Sequence, residues 1–227
     1  MSKKQSEETL VDVAEVYSKT ETFVNDNGRR ITTIFAVAIG VLLAYFAYKK
    51  FAIEPKADEA ANMIWKAEYY FGIDSLDRAL EGDAFGNLGF LDIAADYAGT
   101  PTGNLASHYA GVCYLNKGEY DLALEYMSQA SFDDVMLESA RLGAIGDANA
   151  QLGDLDAAAS SYSKAIDHSD NEFTAPMYLK KLGLIQEQTG DHASALKTFE
   201  RIKKEYPDTN IGRSMDSYIA RAAAKAQ

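Results

Sequence analysis

Residues 116–130 read N-K-G-E-Y-D-L-A-L-E-Y-M-S-Q-A, and the same pattern of small, acidic and bulky residues returns twice further along the chain. In each copy a Gly is followed by an acid, then by an Ala, and then by a bulky apolar residue. The copies begin at Gly118, Gly153 and Gly190, so they lie 35 and 37 residues apart. A regular spacing near this length is typical of a helical repeat array.

Each copy is best explained as the second half of a helical hairpin. The turn Gly ends the first helix because Gly adopts the left-handed conformation at little steric cost. The acid that follows suits the start of the next helix, where the helix dipole favours negative charge. On that helix, Ala123, Met127 and Ala130 recur at i, i+4 and i+7 and form one apolar stripe. Stacked hairpins bury such a stripe, whereas a single hairpin cannot.

These segments resemble tetratricopeptide repeats. With repeats counted from Asn104, Ser139 and Pro176, the characteristic small residues recur, except that Ile202 replaces the last Ala of the third copy. The Trp that is common in the first helix of that family is absent. The resemblance implies an all-α fold, an α-solenoid of helical hairpins. The matching small residues are Gly111, Ala123, Ala130, Gly146, Ala158, Ala165, Gly183 and Ala195.

The composition agrees with a helical protein. The chain has 227 residues, 47% of them hydrophobic, and only four prolines, so long helices and a sizeable core are expected. Cys113 is the only cysteine, which excludes an intrachain disulfide and a thiolate metal cluster. We expect it to be a buried small hydrophobe rather than a reactive thiol.

Residues 31–48 read I-T-T-I-F-A-V-A-I-G-V-L-L-A-Y-F-A-Y and contain no charge. As a helix they would span roughly 27 Å, close to the hydrocarbon thickness of a bilayer of about 30 Å. Basic pairs at 29–30 and 49–50 bracket the run. We predict a single transmembrane helix. A cleaved signal peptide is disfavoured because the preceding tail and the apolar run are both too long, so a retained signal anchor is expected.

The polar tail, residues 1–30, contains a possible amphipathic helix from about Glu7 to Val24, which we expect to end at Gly28. Either a docking helix or a partly ordered tail fits this composition. The tail carries five basic residues against three at 49–56, a juxtamembrane linker, so the positive-inside rule favours a cytoplasmic tail.

We predict that residues 57–227 form one repeat domain. Residues 57–98 are expected to form a degenerate first hairpin, with one long helix from Ala57 to about Leu80 and a second segment from Leu88 to Tyr97. Trp65 is expected in the core, with a contact surface as the alternative. Residues 211–226 carry Met215, Ile219 and either Ala222 or Ala223 on one face and suit a helix that caps the last repeat.

Charge and motifs exclude several function classes. From Ala57 onward there are 14 basic and 27 acidic residues, a net charge of −13, which argues against nucleic-acid binding. The three histidines lie far apart in sequence, and no P-loop, G-x-S-x-G or G-x-G-x-x-G motif occurs. We therefore predict no enzyme, no catalytic residue, no metal site and no cofactor.

The tetratricopeptide resemblance implies a concave face, lined by the first helices, that binds an extended peptide or a partner helix. The alternative is that several of these positions only contact the neighbouring repeat. The expected groove residues are Leu105, His108, Val112, Leu115, Asn116, Asp147, Gln151, Met177, Lys180, Leu184 and Glu187.

The whole layout is similar to a narrower family, the YfgM-like ancillary subunits of the bacterial Sec translocon. The similarity lies in the tail segment F-V-N-D-N-G-R-R (Phe23 to Arg30), the single anchor and the small acidic repeat domain. It implies a single-pass protein of the bacterial inner membrane with a cytoplasmic N-terminus and periplasmic repeats. It also implies SecY, SecE and SecG as partners, together with a PpiD-like periplasmic chaperone and newly exported, unfolded proteins.

Three hypotheses follow. The first is a translocon-associated periplasmic binding protein. The second is a membrane-tethered scaffold for another cell-envelope assembly. The third is an anchored receptor that faces the cytosol, which requires the inverted topology.

Overall fold

A computed structural model describes the backbone of residues 13–226 and the side chains of residue 21 and residues 25–226. Within this range the regular elements are helices, with no strand, which confirms the expected all-α class. The chain divides into two compact units, residues 1–55 and 56–227.

The first unit contains helix α1 (Val13–Tyr48), followed by a π-helical turn at Lys49–Ile53. The helix runs through Gly28, so the prediction that Gly28 ends a tail helix is wrong. Gly inside a helix costs only about 1 kcal/mol relative to Ala, and Thr32 donates a hydrogen bond to the Gly28 carbonyl at 2.8 Å. The predicted start of the tail helix at Glu7 lies outside the described residues.

The apolar side chains of α1 from Ile34 to Tyr48 are exposed. Ile34 is 68% exposed and Leu43 is 65% exposed. The helical run Asn25–Gly72 holds the one stretch of the described chain that is long and apolar enough to cross a membrane, and none of its apolar window is buried. By length and composition, this segment meets the requirements of a membrane span.

The second unit begins inside the short helix α2 (Glu54–Met63). Three more short helices follow: α3 (Trp65–Gly72), α4 (Leu76–Glu81) and α5 (Phe90–Asp96). The prediction of one long helix from Ala57 to about Leu80 is wrong. Asp74 has φ of 59° between α3 and α4, and this left-handed conformation cannot continue a right-handed helix.

Trp65 is 58% exposed, so its predicted place in the core is wrong. Ala67 and Tyr70 turn towards the core from the same helix and are 0% and 7% exposed. Trp65 and Tyr69 therefore lie on the outer side of α3, with the Lys66 ammonium 5.2 Å from the centroid of the Trp65 ring.

Three long hairpins follow. Repeat 1 consists of α6 (Pro101–Lys117) and α7 (Tyr120–Gln129), and repeat 2 of α8 (Val135–Leu152) and α9 (Leu155–His168). Repeat 3 consists of α10 (Ala175–Gln188) and α11 (His192–Glu205). The two helices of each repeat contact each other, and α7 contacts α8 as α9 contacts α10. This is the stacked arrangement that the repeated pattern predicts.

The turn glycines have the conformation that the sequence predicts. Gly118, Gly153 and Gly190 have φ of 79°, 82° and 84°, which favours Gly over any other residue. Asp154 and Asp191 then cap the following helices, and each carboxylate accepts a hydrogen bond from the backbone N–H three residues later at 3.0 Å.

A second set of glycines allows the two helices of each repeat to approach closely. A Cβ added at Gly111, for example, would lie 2.5 Å from Cγ of Met127. Each Gly thus faces the bulky residue of its own second helix, which is nearly fully buried. The pairs are Gly111–Met127, Gly146–Tyr162 and Gly183–Phe199.

The chain ends in two short helices, α12 (Asn210–Arg213) and α13 (Asp216–Lys225), where the sequence predicted one. The predicted apolar face is confirmed, because Met215 and Ala222 are fully buried. Helix α13 contacts α11, and the Tyr218 ring lies 5.3 Å from that of Phe199. These helices cover the last repeat.

Candidate functional site

The first helices α6, α8 and α10 carry all the predicted groove residues, but the structure does not gather them into one site. Asn116, Gln151 and Leu184 are exposed, whereas His108 is buried. The remaining seven are half-buried: Leu105, Val112, Leu115, Asp147, Met177, Lys180 and Glu187.

One group of predicted residues meets between repeats 1 and 2, near the turns of the two hairpins. Leu115, Asp147 and Gln151 line an open cavity of about 270 Å³ together with Tyr120, Ala150 and Tyr162. We call this the turn-side cavity. The Tyr120 hydroxyl donates a hydrogen bond to the Gln151 amide oxygen at 3.4 Å across its mouth.

Asp147 is the polar centre of the turn-side cavity. Its carboxylate accepts a hydrogen bond from the Tyr162 hydroxyl at 2.7 Å. The Lys181 ammonium, from repeat 3, lies 2.6 and 2.7 Å from the two carboxylate oxygens. Burial, and then the hydrogen bond to Asp147, raises the pKa of Tyr162, so this phenol stays protonated. The charge of Asp147 is thus paired, and the cavity offers mainly neutral hydrogen-bonding groups.

The Tyr162 ring of this cluster also packs against Tyr178 of repeat 3. The rings of Tyr162 and Tyr178 stack with centroids 6.3 Å apart at an interplanar angle of 17°. The Tyr178 ring fits here because Gly143 has no side chain. A Cβ added at Gly143 would lie only 2.1 Å from Cε1 of the ring. Repeats 2 and 3 are therefore joined by an aromatic stack and an ion pair at this site.

Sequence reasoning missed three members of this cluster: Tyr120, Tyr178 and Lys181. Tyr162 was predicted only as a bulky packing residue. Lys181 follows the predicted groove residue Lys180 directly, yet no pattern in a single sequence pairs it with Asp147. Tyr120 follows Glu119, the acid of its turn, and the repeat resemblance does not assign this position to binding.

A second cavity lies at the other end of α6 and α8, and the predicted groove residue Leu105 lines it. Its volume is about 460 Å³, and its other walls are Gly99, the first turn of α6, the loop between α7 and α8, and Leu137 of α8. We call this the loop-side cavity. Leu105 and Leu115 are ten residues apart on α6, so the two cavities lie roughly 15 Å apart along that helix. Its lining residues are Gly99, Pro101, Thr102, Asn104, Leu105, Ser131, Phe132, Asp133 and Leu137.

His108 lies one helical turn from Leu105 and is only 8% exposed. Its ring contacts Phe132 edge-on, with centroids 5.7 Å apart, and its Nδ1 atom has no hydrogen-bond partner. Burial, and then the nearby Arg141, lowers the pKa of His108 from 6.5 to about 4. The imidazole is therefore neutral at pH 7 and supports the Phe132 wall of the loop-side cavity.

The predicted residues of repeat 3 contact other parts of the fold. Met177 packs against the core of repeats 2 and 3. The Lys180 ammonium lies 5.0 Å from the Tyr218 ring centroid, and the Glu187 carboxylate accepts a hydrogen bond from Arg221 at 2.8 Å. Leu184, at 39% exposed, remains open to a partner. Lys180 and Glu187 thus connect repeat 3 to the terminal helices.

Nowhere in the described range do three or more His, Cys, Asp or Glu side chains converge as metal ligands. Cys113 is fully buried, and burial raises the pKa of its thiol to about 12, so it stays protonated. This confirms its prediction as a buried small hydrophobe.

Comparison with known proteins agrees with this geometry. Residues 144–209 match the family model of the tetratricopeptide repeat. This range covers the second half of α8, all of α9 and both helices of repeat 3. No curated protein matches the chain. The fold is similar to the crystal structure of MamA protein, with a TM-score of 0.52 at 16% sequence identity, over 73% of this chain and 91% of that one. The second unit therefore has a tetratricopeptide-type α-solenoid fold, and residues 144–209 match that repeat family.

Proposed function

We propose that this chain is a membrane-anchored protein-binding module that serves as an ancillary subunit of the Sec translocon. The observation that carries the binding role is the turn-side cavity between repeats 1 and 2, which combines an open apolar wall at Leu115 with the amide of Gln151 and the hydroxyl of Tyr120. Such groups suit the backbone and side chains of a protein segment. We assign no catalytic role to this chain.

The proposed anchor is residues 31–48 of α1. Apart from the half-buried Ile31, its apolar side chains are exposed on every side of the helix, as expected of a segment that contacts lipid or the helices of a membrane partner. The larger number of basic residues in the tail favours a cytoplasmic N-terminus and a periplasmic repeat domain. We therefore propose a single-pass protein of the bacterial inner membrane.

The proposed partners follow from the layout of a short tail, one anchor and a small acidic repeat domain. They are the translocon subunits SecY, SecE and SecG and a PpiD-like periplasmic chaperone, with newly exported proteins as clients. A membrane-tethered scaffold for another cell-envelope assembly has the same layout. The following experiment must distinguish this alternative from the translocon subunit.

Site-directed photocrosslinking in native membranes tests the proposal. A photoreactive residue is placed at Gln151, on the rim of the turn-side cavity, and a matched one at Ser160, which is exposed on the second helix of the same repeat. We expect crosslinks from Gln151 to the proposed chaperone or to exported proteins, and none from Ser160. Equal labelling at both positions, or crosslinks from Gln151 only to proteins of another envelope assembly, would contradict the proposal.

A further inference from the structure

The loop-side cavity continues into a run of exposed apolar side chains at the start of α8. Val135 and Met136 are each 50% exposed, and Leu137, which also lines the cavity, is 40% exposed. Three consecutive exposed apolar residues beside an apolar cavity form the kind of contiguous patch that marks interaction sites. No element of the second unit, over its described residues, covers these side chains.

The walls of this cavity are held in place without a ligand. The Asn104 side chain donates a hydrogen bond to the Ser131 carbonyl at 3.3 Å, which ties the α7–α8 loop to α6. The backbone N–H of Phe132 donates to the Glu138 carboxylate at 3.1 Å. Binding here would therefore require little ordering of the protein, which favours affinity.

The charges around the cavity are acidic. Asp133 lines it, and the neighbouring Asp134 caps α8, where its Oδ1 atom accepts hydrogen bonds from the N–H groups of Met136 and Leu137 at 3.0 and 2.9 Å. These N–H groups are thus not free to bind an anion. Arg141 does not balance the two acids, because it is paired with Glu138 at 2.9 Å.

We propose that the loop-side cavity binds a partner protein through one or two apolar side chains that are flanked by Lys or Arg. The apolar side chains of the partner would pack against the apolar walls of the cavity, and Asp133 and Asp134 would attract the flanking Lys or Arg side chains. A second copy of this chain is a poor occupant, because it would bring its own two acids to the same place. This site is separate from the turn-side cavity and does not depend on the translocon assignment.

The test measures binding of a fluorescent peptide, Lys-Lys-Leu-Phe-Lys-Lys, to the full chain in neutral detergent by fluorescence anisotropy at low salt. Two control peptides carry Glu in place of Lys, or Ser-Ser in place of Leu-Phe. We expect the Lys-Leu-Phe peptide to bind at least about tenfold more tightly than either control, since both the apolar and the charged contacts contribute.

Two pairs of variants locate the site. Leu137→Gln is matched with Leu152→Gln, which is 44% exposed at the other end of the same helix. Asp133→Lys is matched with Asp156→Lys, an exposed acid on α9. We expect Leu137→Gln and Asp133→Lys to weaken binding about tenfold and about threefold. The matched controls should change it less than twofold, and all four variants should keep the melting temperature of the wild type.

Equal affinity of the three peptides, or equal effects within each variant pair, would overturn the proposal. Sedimentation of the same samples gives an independent check. If Leu137→Gln converted a dimer of the chain into a monomer, the patch would be covered by a second copy, and the proposal of a basic partner would be wrong.

Discussion

Tyr162 occupies the space that a side chain at Gly146 would need: a Cβ at Gly146 would lie 2.5 Å from Cε1 of the Tyr162 ring. The ring cannot easily move away, because its hydroxyl is hydrogen-bonded to Asp147 and the ring stacks on Tyr178. The same pair of residues therefore sets the spacing of the helices in repeat 2 and positions the polar centre of the turn-side cavity.

Gly146→Ala should lower the free energy of unfolding by about 1–3 kcal/mol, because the added methyl group overpacks the contact with Tyr162. The control is Gly72→Ala, where no atom lies within 4 Å of the added Cβ. That change should be neutral or stabilise by up to about 1 kcal/mol, since Ala has the higher helix propensity. Urea unfolding of both variants measures the difference, and equal effects would contradict the close approach.

Met215→Ala should cost about 2–4 kcal/mol of folding free energy, because Met215 is fully buried where the terminal helices meet the last repeat. Ser217→Ala changes an exposed residue of α13 and should leave stability within about 0.5 kcal/mol. Thermal unfolding followed by circular dichroism measures both. If Met215→Ala behaved like Ser217→Ala, the terminal helices would not act as a cap.

His108 should make the fold less stable as the pH falls from about 6.5 towards 4. Its pKa in the folded chain is about 4, below its ordinary value of 6.5, so the unfolded chain takes up this proton first. The contribution is fully lost below the folded pKa and is on the order of 3 kcal/mol.

His108→Leu isolates this effect, because protonation of carboxylates affects the wild type and the variant alike. The difference in unfolding free energy between the two proteins should change with pH between 6.5 and 4. His168→Gln, at an exposed position, is the control and should follow the wild type. A difference for His108→Leu that is independent of pH would show that the imidazole is not buried in its neutral form.

The proposed anchor predicts that the full chain stays with the membrane after an alkaline carbonate wash, whereas a chain without residues 31–48 is released. Leu42→Arg, near the middle of the apolar run, should weaken insertion by about 2.5–3.5 kcal/mol. Leu152→Arg, in the repeat domain, should have no effect on membrane association. Release of the unaltered chain by the wash would contradict the anchor.

The hairpins could be predicted from the sequence because a few residues dictate them locally. Gly118 requires a left-handed turn, Asp154 caps a helix, and Gly111 removes a side chain at a fixed distance from Met127. Each of these effects acts within one hairpin, so a repeated spacing is sufficient to recognise it. The fully buried face of Met215 and Ala222 was predictable for the same reason, since helical periodicity alone places both residues together.

The errors arose where the outcome depends on contacts between distant elements. Trp65 is large and apolar, but Ala67 and Tyr70 occupy the core-facing side of the same helix, so Trp65 is exposed to solvent. Asp74 adopts a left-handed conformation that its residue type does not require. The link from Asp147 to Lys181 joins helices of different repeats, and neither residue signals the other in the sequence.

The most direct test of the central claim is isolation of the full chain from its native membrane in mild detergent. A matched version carries an unrelated anchor of the same topology in place of residues 1–50. We predict that the native chain recovers SecY, SecE and SecG together with a PpiD-like chaperone, and that the exchanged anchor loses the translocon subunits. Recovery of a different envelope complex, without any translocon subunit and under conditions that keep the translocon intact, would contradict the account.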